Sequence, residues 1–470
     1  MKKWEILENI KVEKLIFGGK WLAIGPDWKK IIITGGAIPE SFVNLRILKS
    51  KNKYLEAQVL DVVKKSPLEK ELPAHFQVYW GCKWLPIDYR QQLKIKEEQV
   101  KEALFHLRDF TKNTKFHPIV ASENIYWYRN KLEFSWGKYI SAKEEIHDDF
   151  RFGFHKQGEF DRIINCEYCV LASDTVNKIF KEVDTYSRNS QIPTYDPFNG
   201  IWFWRHLVVR EAHYTWEIMI IFSVNDKALV PENFMVNFLD FIKKLVIKFP
   251  NIKSVYYLKN NWKADIVQWE YELIFWEKTI KEKLLDFIFE INPRSFFQTN
   301  SMQAEVLYSK ALKLANLNDK KIWEIALDLY AGTGTIWIIL SKYFKKVYSV
   351  EVVKEASIDG QNNAKLNNVE NVEFINAKVE DFLKEFTQKN EKVDLLVIDP
   401  PRDGMHPTAL PSIISFNAKT IIYVSCNPST LARDLDYIVR NSEYAIADVI
   451  PVDMFPHTHH IETIVKLIKK

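Results

Sequence analysis

The chain has 470 residues, 47% of them hydrophobic, and 65 lysines and arginines against 61 acids give a formal net charge of +4. That length suits two or three domains, the composition builds a core, and the weak basic charge permits RNA binding without demonstrating it. No apolar run approaches the ~18–20 residues of a membrane span, the opening Met1-Lys2-Lys3-Trp4-Glu5 lacks a signal-peptide core, and four cysteines argue against a disulfide scaffold and for a reducing, cytoplasmic setting.

In chain order, residues 1–66 read as short strands, among them 31–34, 43–47 and 54–60, separated by turn signals such as Gly25-Pro26-Asp27 and Gly35-Gly36. Five or so strands in that length suit a small barrel of the oligonucleotide-binding type. Residues 67–290 read as an α+β central domain. A helix over 91–112, able to pack on the catalytic domain, carries a charged face (Lys94, Lys96, Glu97, Glu98, Lys101, Glu102) of the kind that is usually solvated. Strands are expected at 131–134, 206–210 and 218–222, with an amphipathic helix over 233–248.

From 291 to 470 strands and helices alternate, which implies a parallel α/β sheet. Strands fall at 325–329, 346–350, 372–375, 395–398 and 420–424. The first runs into Asp328-Leu329-Tyr330-Ala331-Gly332-Thr333-Gly334-Thr335 and the second ends at Glu351. Glycines let backbone approach a ligand, and an acid after the second strand accepts ribose hydroxyls, so this is a nucleotide-binding arrangement. Asp328 beside the turn would repel phosphate and suits a cation, which favours S-adenosylmethionine over a nicotinamide dinucleotide.

Asp399-Pro400-Pro401-Arg402 follows the fourth strand, and Ser425-Cys426-Asn427-Pro428 the fifth. Ligands of open α/β sheets bind beyond the strand carboxyl ends, so Asp399 and Cys426 project toward one site. Glu462 lies downstream in His459-His460-Ile461-Glu462-Thr463. Uracil C5 is a poor nucleophile until a thiolate adds to C6; a base must then take the C5 proton. A cysteine, a base and an acid at the pyrimidine edge are the required parts, and Cys426, Glu462 and Asp399 fit them. Taken singly, each has a plainer role: a buried thiol, a surface carboxylate, a helix cap.

These motifs, with Ser295-Phe296-Phe297-Gln298 and Asp453-Met454-Phe455-Pro456-His457-Thr458, resemble the RNA uracil-C5 methyltransferase family over nearly the whole chain. Residues 1–66 resemble its TRAM RNA-binding barrel. Tyr128-Arg129-Asn130-Lys131 and Arg205-His206-Leu207-Val208-Val209-Arg210 resemble its central domain. The resemblance implies a Rossmann-like S-adenosylmethionine-dependent methyltransferase domain, a parallel sheet with an antiparallel C-terminal strand. It implies Cys426 as nucleophile and Glu462 as proton acceptor, with donor contacts at Gln298, Tyr330, Thr335, Glu351 and Asp399. Asp328, Gly332 and Gly334 complete that pocket. It also implies an RNA partner, 23S ribosomal RNA by domain arrangement or tRNA as the nearest alternative, and a flipped target uridine. Neither DNA nor a membrane is an expected partner, and the chain is expected to act as a monomer. An RNA-binding module with a dead catalytic domain is the alternative of another class.

Two departures stand out. Many family members carry a four-cysteine iron–sulfur site; the matching positions here are Ala74, Tyr79, Cys82 and Cys169, and two thiolates do not make an ordinary cluster site. Second, tryptophan (15) outnumbers glycine (14). Trp21, Trp28, Trp80, Trp127, Trp216, Trp262, Trp276 and Trp337 fall where the family pattern has glycine, whereas Trp84, Trp136 and Trp204 read as true aromatics. Pro26-Asp27-Trp28 wants glycine for a positive-φ turn, and Gly332-x-Gly334-x-x-Trp337 wants it for helix-on-strand packing. One reading is a gene that uses UGA for glycine, translated as tryptophan; the other is a set of true tryptophans that stack on RNA bases.

Overall fold

A computed structural model describes residues 2–73, 76–137, 150–156, 159–196, 202–261, 270–317, 321–389 and 391–470. Its contacts divide the chain into two compact units. One holds residues 1–72, 81–123 and 303–470, the other 73–80 and 124–302. Ala74 and Trp262, and the side chain of Trp80, lie outside the described residues.

The first unit begins with β1 (Ile6–Ile16), β2 (Lys20–Ile24), β3 (Lys30–Thr34), β4 (Phe42–Ser50) and β5 (Tyr54–Lys64). They close a barrel in the order β1-β2-β3-β5-β4, with β3 and β5 parallel and the other pairs antiparallel. Alternating apolar residues (Ile31 and Ile33, Val43, Leu45 and Ile47) point inward, as the period of two in a strand requires. Trp84 and Ile87 join this core just before α1 (Tyr89–Leu104), which Asp88 caps by accepting from the Arg90 N–H. The helix stops at Leu104, where a 3₁₀ turn follows, so it is shorter than the 91–112 expected. Val100 and Leu104 on α1, and Leu107 beyond it, enter the core of the C-terminal eight-stranded sheet, and the short strand β6 (Lys115–Phe116) lies at that sheet's edge.

The second unit contains β7 (Lys131–Gly137), β8 (Arg151–Lys156), β9 (Glu159–Asn165), α2 (Asp174–Asn189), β10 (Trp204–Glu211), β11 (Ile218–Val224), α3 (Phe234–Lys248), β12 (Ile252–Lys259) and β13 (Glu270–Trp276). Its sheet runs β13-β12-β11-β10-β7-β8-β9, and β14 (Ile280–Leu284) pairs with β15 (Phe287–Ile291) as a separate hairpin. Aromatic packing dominates this core: Trp136 stacks on Phe152 at 4.1 Å, and Trp204 meets Phe234 and Phe238. Trp84, Trp136 and Trp204 are all buried.

The C-terminal stretch of the chain follows as α4 (Ser301–Leu314), β16 (Trp323–Leu329), α5 (Thr335–Leu340), β17 (Phe344–Val350), α6 (Lys354–Leu366), β18 (Val372–Ile375), α7 (Val379–Thr387), β19 (Leu395–Ile398), α8 (Ala409–Phe416), β20 (Thr420–Ser425), α9 (Pro428–Asn441), β21 (Tyr444–Val452) and β22 (Glu462–Lys469). The sheet order is β18-β17-β16-β19-β20-β22-β21-β6. Strands β16 to β20 pair in parallel, and β22 inserts antiparallel between β20 and β21. The order reverses between β16 and β19, which is where ligands of such sheets bind.

Tryptophan backbones are unusual. Among the described residues, Trp28 (φ 61°), Trp127 (54°), Trp216 (62°) and Trp276 (53°) are left-handed, as is Trp4 (73°), which the family pattern did not single out. Trp21 and Trp337 are not, and both are buried.

Candidate active site

The loop after β16 is shaped by three left-handed residues, Tyr330 (φ 65°), Gly332 (56°) and Gly334 (99°). A bulky tyrosine there is strained. The loop is tied to β17: Ala331 N–H donates to the Val350 carbonyl at 3.1 Å, and Gly332 N–H to Glu351 Oε2 at 2.9 Å. The other oxygen of Glu351 accepts from Val353 N–H at 2.7 Å. Thr335 opens α5, its hydroxyl 3.2 Å from that of Tyr308 on α4.

Asp328 is wholly buried, and neither carboxylate oxygen closes a hydrogen bond. Burial, then the charge of Asp399, holds its carboxyl well above the usual range, with the Trp337 backbone N–H acting in the opposite direction. Burial likewise raises Asp399 to about 7, and burial with the Asp399 charge raises Glu462. All three acids act on the phenol of Tyr308, raising it further after burial. Three crowded carboxyls and two left-handed glycines make a cradle for a cationic ligand. S-adenosylmethionine, with an ammonium and a sulfonium, fits that donor set.

Strand register brings the reactive residues together. Ser425 at the end of β20 pairs with Thr463 on β22, so the next residues across are Cys426 and Glu462. Glu462 also pairs with Val452 on β21. Ile398 pairs with Tyr423 on one side and Leu329 on the other, which puts Asp399 between the cysteine strand and the glycine loop. Burial pushes the Cys426 thiol up to about 12, with Glu462 adding to this, Arg402 opposing it and Asp399 adding less. Arg402 opposes the rise at Glu462 as well.

Asn427 fixes the cysteine junction. Its Oδ1 accepts from the Ser429 and Thr430 N–H groups, capping α9 ahead of Pro428, while Nδ2 donates to the Arg402 carbonyl at 2.9 Å. Asp434 holds the other side of the Asp399–Gly404 loop: it accepts from Met405 N–H (2.8 Å), the Tyr423 hydroxyl (2.7 Å) and Arg433. Nothing in a lone helical aspartate signals that role.

Lys96 departs from the solvated face expected of it. It is wholly buried, its ammonium 2.6 Å from Asp453 and 3.1 Å from the Phe455 carbonyl. Gln92, one turn earlier, is buried too and bonds the His457 N–H. A sequence signal existed: Gln92, Lys96 and Gln99 recur at helical spacing, on a different face from Lys94, Glu98 and Lys101.

Gln298 belongs to the second unit. There Asn130 Nδ2 donates to its carbonyl at 2.9 Å, and Arg210 to the Ser295 carbonyl at 2.7 Å, so the central-domain motifs hold the Ser295–Gln298 segment. Cys82, Cys166 and Cys169 are buried and form no disulfide. Among the described residues no group of three or more His, Cys, Asp or Glu is arranged to hold a metal, and no helix is long and apolar enough to cross a membrane.

The family model for tRNA (uracil-5-)-methyltransferase matches residues 270–470. An uncharacterized RNA methyltransferase of Fusobacterium nucleatum is 34% identical, over 99% of this chain and 96% of the relative. One from Caldanaerobacter subterraneus is 32% identical over 99% of both. The crystal structure of Pyrococcus abyssi tRNA (uracil-54, C5)-methyltransferase with S-adenosyl-L-homocysteine shares the fold: TM-score 0.72, 24% identity, over 98% of this chain and 100% of that one. The chain belongs to the RNA uracil-C5 methyltransferase family.

Proposed function

We propose that the protein methylates C5 of a specific uridine in RNA through a covalent adduct between Cys426 and uracil C6, with 23S ribosomal RNA as its target. The observation that carries this is the cross-strand placement of Cys426 against Glu462, with Asp399 on the neighbouring strand end. Bound S-adenosylmethionine supplies an electrophilic methyl group. Asp328, Tyr330, Gly332, Gly334, Thr335 and Glu351 hold it from the catalytic domain, and Gln298 is assigned to the same task from family resemblance.

Cys426 acts as the thiolate. Its sulfur bonds to C6, and the C5=C6 electron pair becomes an enolate that accepts the methyl group at C5. Glu462 then takes the proton from C5, the electron pair reforms C5=C6, and the C6–S bond breaks to release the thiolate. A carboxylate whose pKa is raised by burial is a stronger base once ionised, which suits Glu462. Asp399, raised to about 7 by burial, is assigned to the pyrimidine edge and the donor pocket. The barrel of residues 1–66 is assigned to RNA binding, 67–290 to a central domain and 291–470 to catalysis, in a cytoplasmic monomer.

A tRNA target is the second reading, favoured by the description of the matching family model. Mapping 5-methyluridine in ribosomal RNA and tRNA from cells with and without the gene separates the two. If purified enzyme adds 5-methyluridine to neither RNA, the proposal fails.

A further inference from the structure

The loop from Asp453 to Ile461 delivers Glu462 to the site, and it has little regular structure of its own. One face of α1 holds it. Gln92, Lys96 and Gln99 follow one another at i, i+4 and i+7, and all three are buried. Gln92 Nε2 lies 2.9 Å from His457 Nδ1 and donates to the Trp84 and Ile87 carbonyls, while its Oε1 accepts from the His457 N–H at 2.8 Å. Lys96 bonds Asp453 and the Phe455 carbonyl, and Asp453 Oδ1 also accepts from Phe455 N–H at 3.3 Å. Gln99 donates to the Leu15 carbonyl of the barrel at 3.2 Å. The Trp84 N–H closes the set on the His457 carbonyl at 2.9 Å.

A buried lysine–carboxylate pair costs desolvation that apolar side chains would avoid, so it is weak evidence for stability. Its geometric effect is to fix two points of the loop against a rigid helix. Cys426, by contrast, is fixed from the other side, by Asn427 and the Arg402 loop. The two reacting groups are thus held by separate sets of bonds.

We propose that Lys96 and Gln92 are positioning residues for proton removal, setting Glu462 against C5 of the methylated adduct without governing thiolate attack. This rests on the proton-acceptor role proposed for Glu462.

The test follows the covalent RNA adduct on denaturing gels with ordinary, unmodified RNA. In Glu462→Gln the adduct should build up, because methyl transfer occurs and release does not. In Lys96→Met/Asp453→Leu, which leaves no unpaired buried charge, turnover should fall on the order of 10²-fold, with the adduct again accumulating and KM for RNA little changed. Gln92→Met should show the same split to a smaller degree, and it decides the matter if the double variant does not fold. Wild-type turnover and no adduct in folded variants overturns the proposal. So does an equal loss of adduct formation and turnover, which would mark a general structural role. Absence of adduct in Glu462→Gln defeats the role of Glu462 itself, a different failure.

A second inference has independent support. Five of the fourteen non-glycine residues with positive φ among the described residues are tryptophans. A bulky L-residue there is strained by roughly 1–2 kcal/mol, and no contact on RNA requires that backbone. Trp28, Trp127, Trp216 and Trp276 also expose their indoles (87%, 57%, 51% and 64%). At the glycine loop the indole of Trp337 fills the space beside Gly334, where a Cβ would stand 2.3–2.4 Å from its ring atoms, and its buried Nε1–H has no acceptor among the described residues. Trp84, Trp136 and Trp204 show no positive φ. Trp21 sits in the barrel core with ordinary backbone and gives no support.

We infer that the polypeptide made in the native cell carries glycine at positions 28, 127, 216, 276 and 337, its gene reading UGA as glycine. The coding DNA should show UGA at these five positions and UGG at 84, 136 and 204, and peptides from the native protein should have the mass of glycine there. UGG codons at the five positions, or tryptophan masses in native peptides, overturns the inference. With glycine at all five, the recombinant protein should melt at a higher temperature than the tryptophan form, and an unchanged or lower melting temperature also counts against it.

Discussion

Cys426 and Glu462 stand across from each other where β20 and β22 run antiparallel, one residue beyond the Ser425–Thr463 pair. Glu462 raises the cost of ionising the thiol, and burial is the first cause of the shift at both. The arrangement suits a thiolate that departs from C6 as the neighbouring carboxylate takes the C5 proton. Removing the nucleophile with Cys426→Ala should abolish both adduct and product. Removing only the base with Glu462→Gln should slow release roughly 10²–10⁴-fold, the usual range for a general base. Rapid-quench assays of labelled RNA read both steps. Product formation by Cys426→Ala would reject covalent catalysis.

Binding of S-adenosylmethionine should release protons near neutral pH. Asp399 is raised to about 7 and Asp328 is held higher than an ordinary carboxyl, so the free protein keeps protons that a cationic ligand drives off. Affinity should therefore rise as pH climbs through 7. Stability has the opposite sign. A carboxyl raised in the folded state contributes fully below its unfolded value of 3.8 and loses that contribution as pH rises through about 7. The thermal shift produced by the ligand should then be larger at pH 8 than at pH 6. Calorimetry in buffers of different ionisation heat measures the protons; a heat independent of buffer would contradict this account.

Much of the site was legible because its parts sit on strand ends. Apolar runs placed β16, β17, β19 and β20 within a residue or two, and the residues at or just beyond each strand end, Asp328 to Thr335, Glu351, Asp399 and Cys426, then had to share one edge of the sheet. What was not legible depends on partners distant in sequence. Lys96 looks like any helix-surface lysine until Asp453, 357 positions away, lies against it. Asp434 is ordinary until Tyr423 and Met405 converge on it. The edge strand β6 is two residues long and has no period to read. The mixed arrangement of units was also hidden, since α1 lies between stretches of the other unit in the chain but packs in the catalytic core.

Gly404 should tolerate no side chain. Its φ is +75°, and a Cβ would meet Arg433 Nη2 at 2.6 Å and Asp434 Oδ2 at 2.7 Å. Gly404→Ala should destabilise the fold by about 1–3 kcal/mol from backbone strain and lower turnover, because the displaced loop carries Asp399 and Arg402. Asp434→Ala should act similarly by leaving the Tyr423 hydroxyl and Met405 N–H without an acceptor, at about 1–3 kcal/mol for each group left buried and unpaired. Urea unfolding beside steady-state kinetics checks both. Wild-type stability in both variants would mean that this hub does not hold the loop.

The turn between β1 and β2 should govern turnover although it lies in the barrel. Gly19 has φ +70°, and a Cβ there would come within 2.9 Å of His459 Nδ1. Phe17 beside it packs on the catalytic core. The ring of His459 lies 4.0 Å from that of His460, two residues before Glu462. Burial, with Lys83, Lys96 and Arg402 nearby, pushes His459 down to about 4, so it is neutral at physiological pH. Gly19→Val should therefore displace a neutral ring and shift the Glu462 loop without altering charge. The expected result is a fall in kcat on the order of tenfold or more, as for a reacting group moved by a fraction of an ångström, with no change in the shape of the pH–rate profile between pH 6 and 8. A change confined to KM for RNA would instead assign the turn to RNA contact alone.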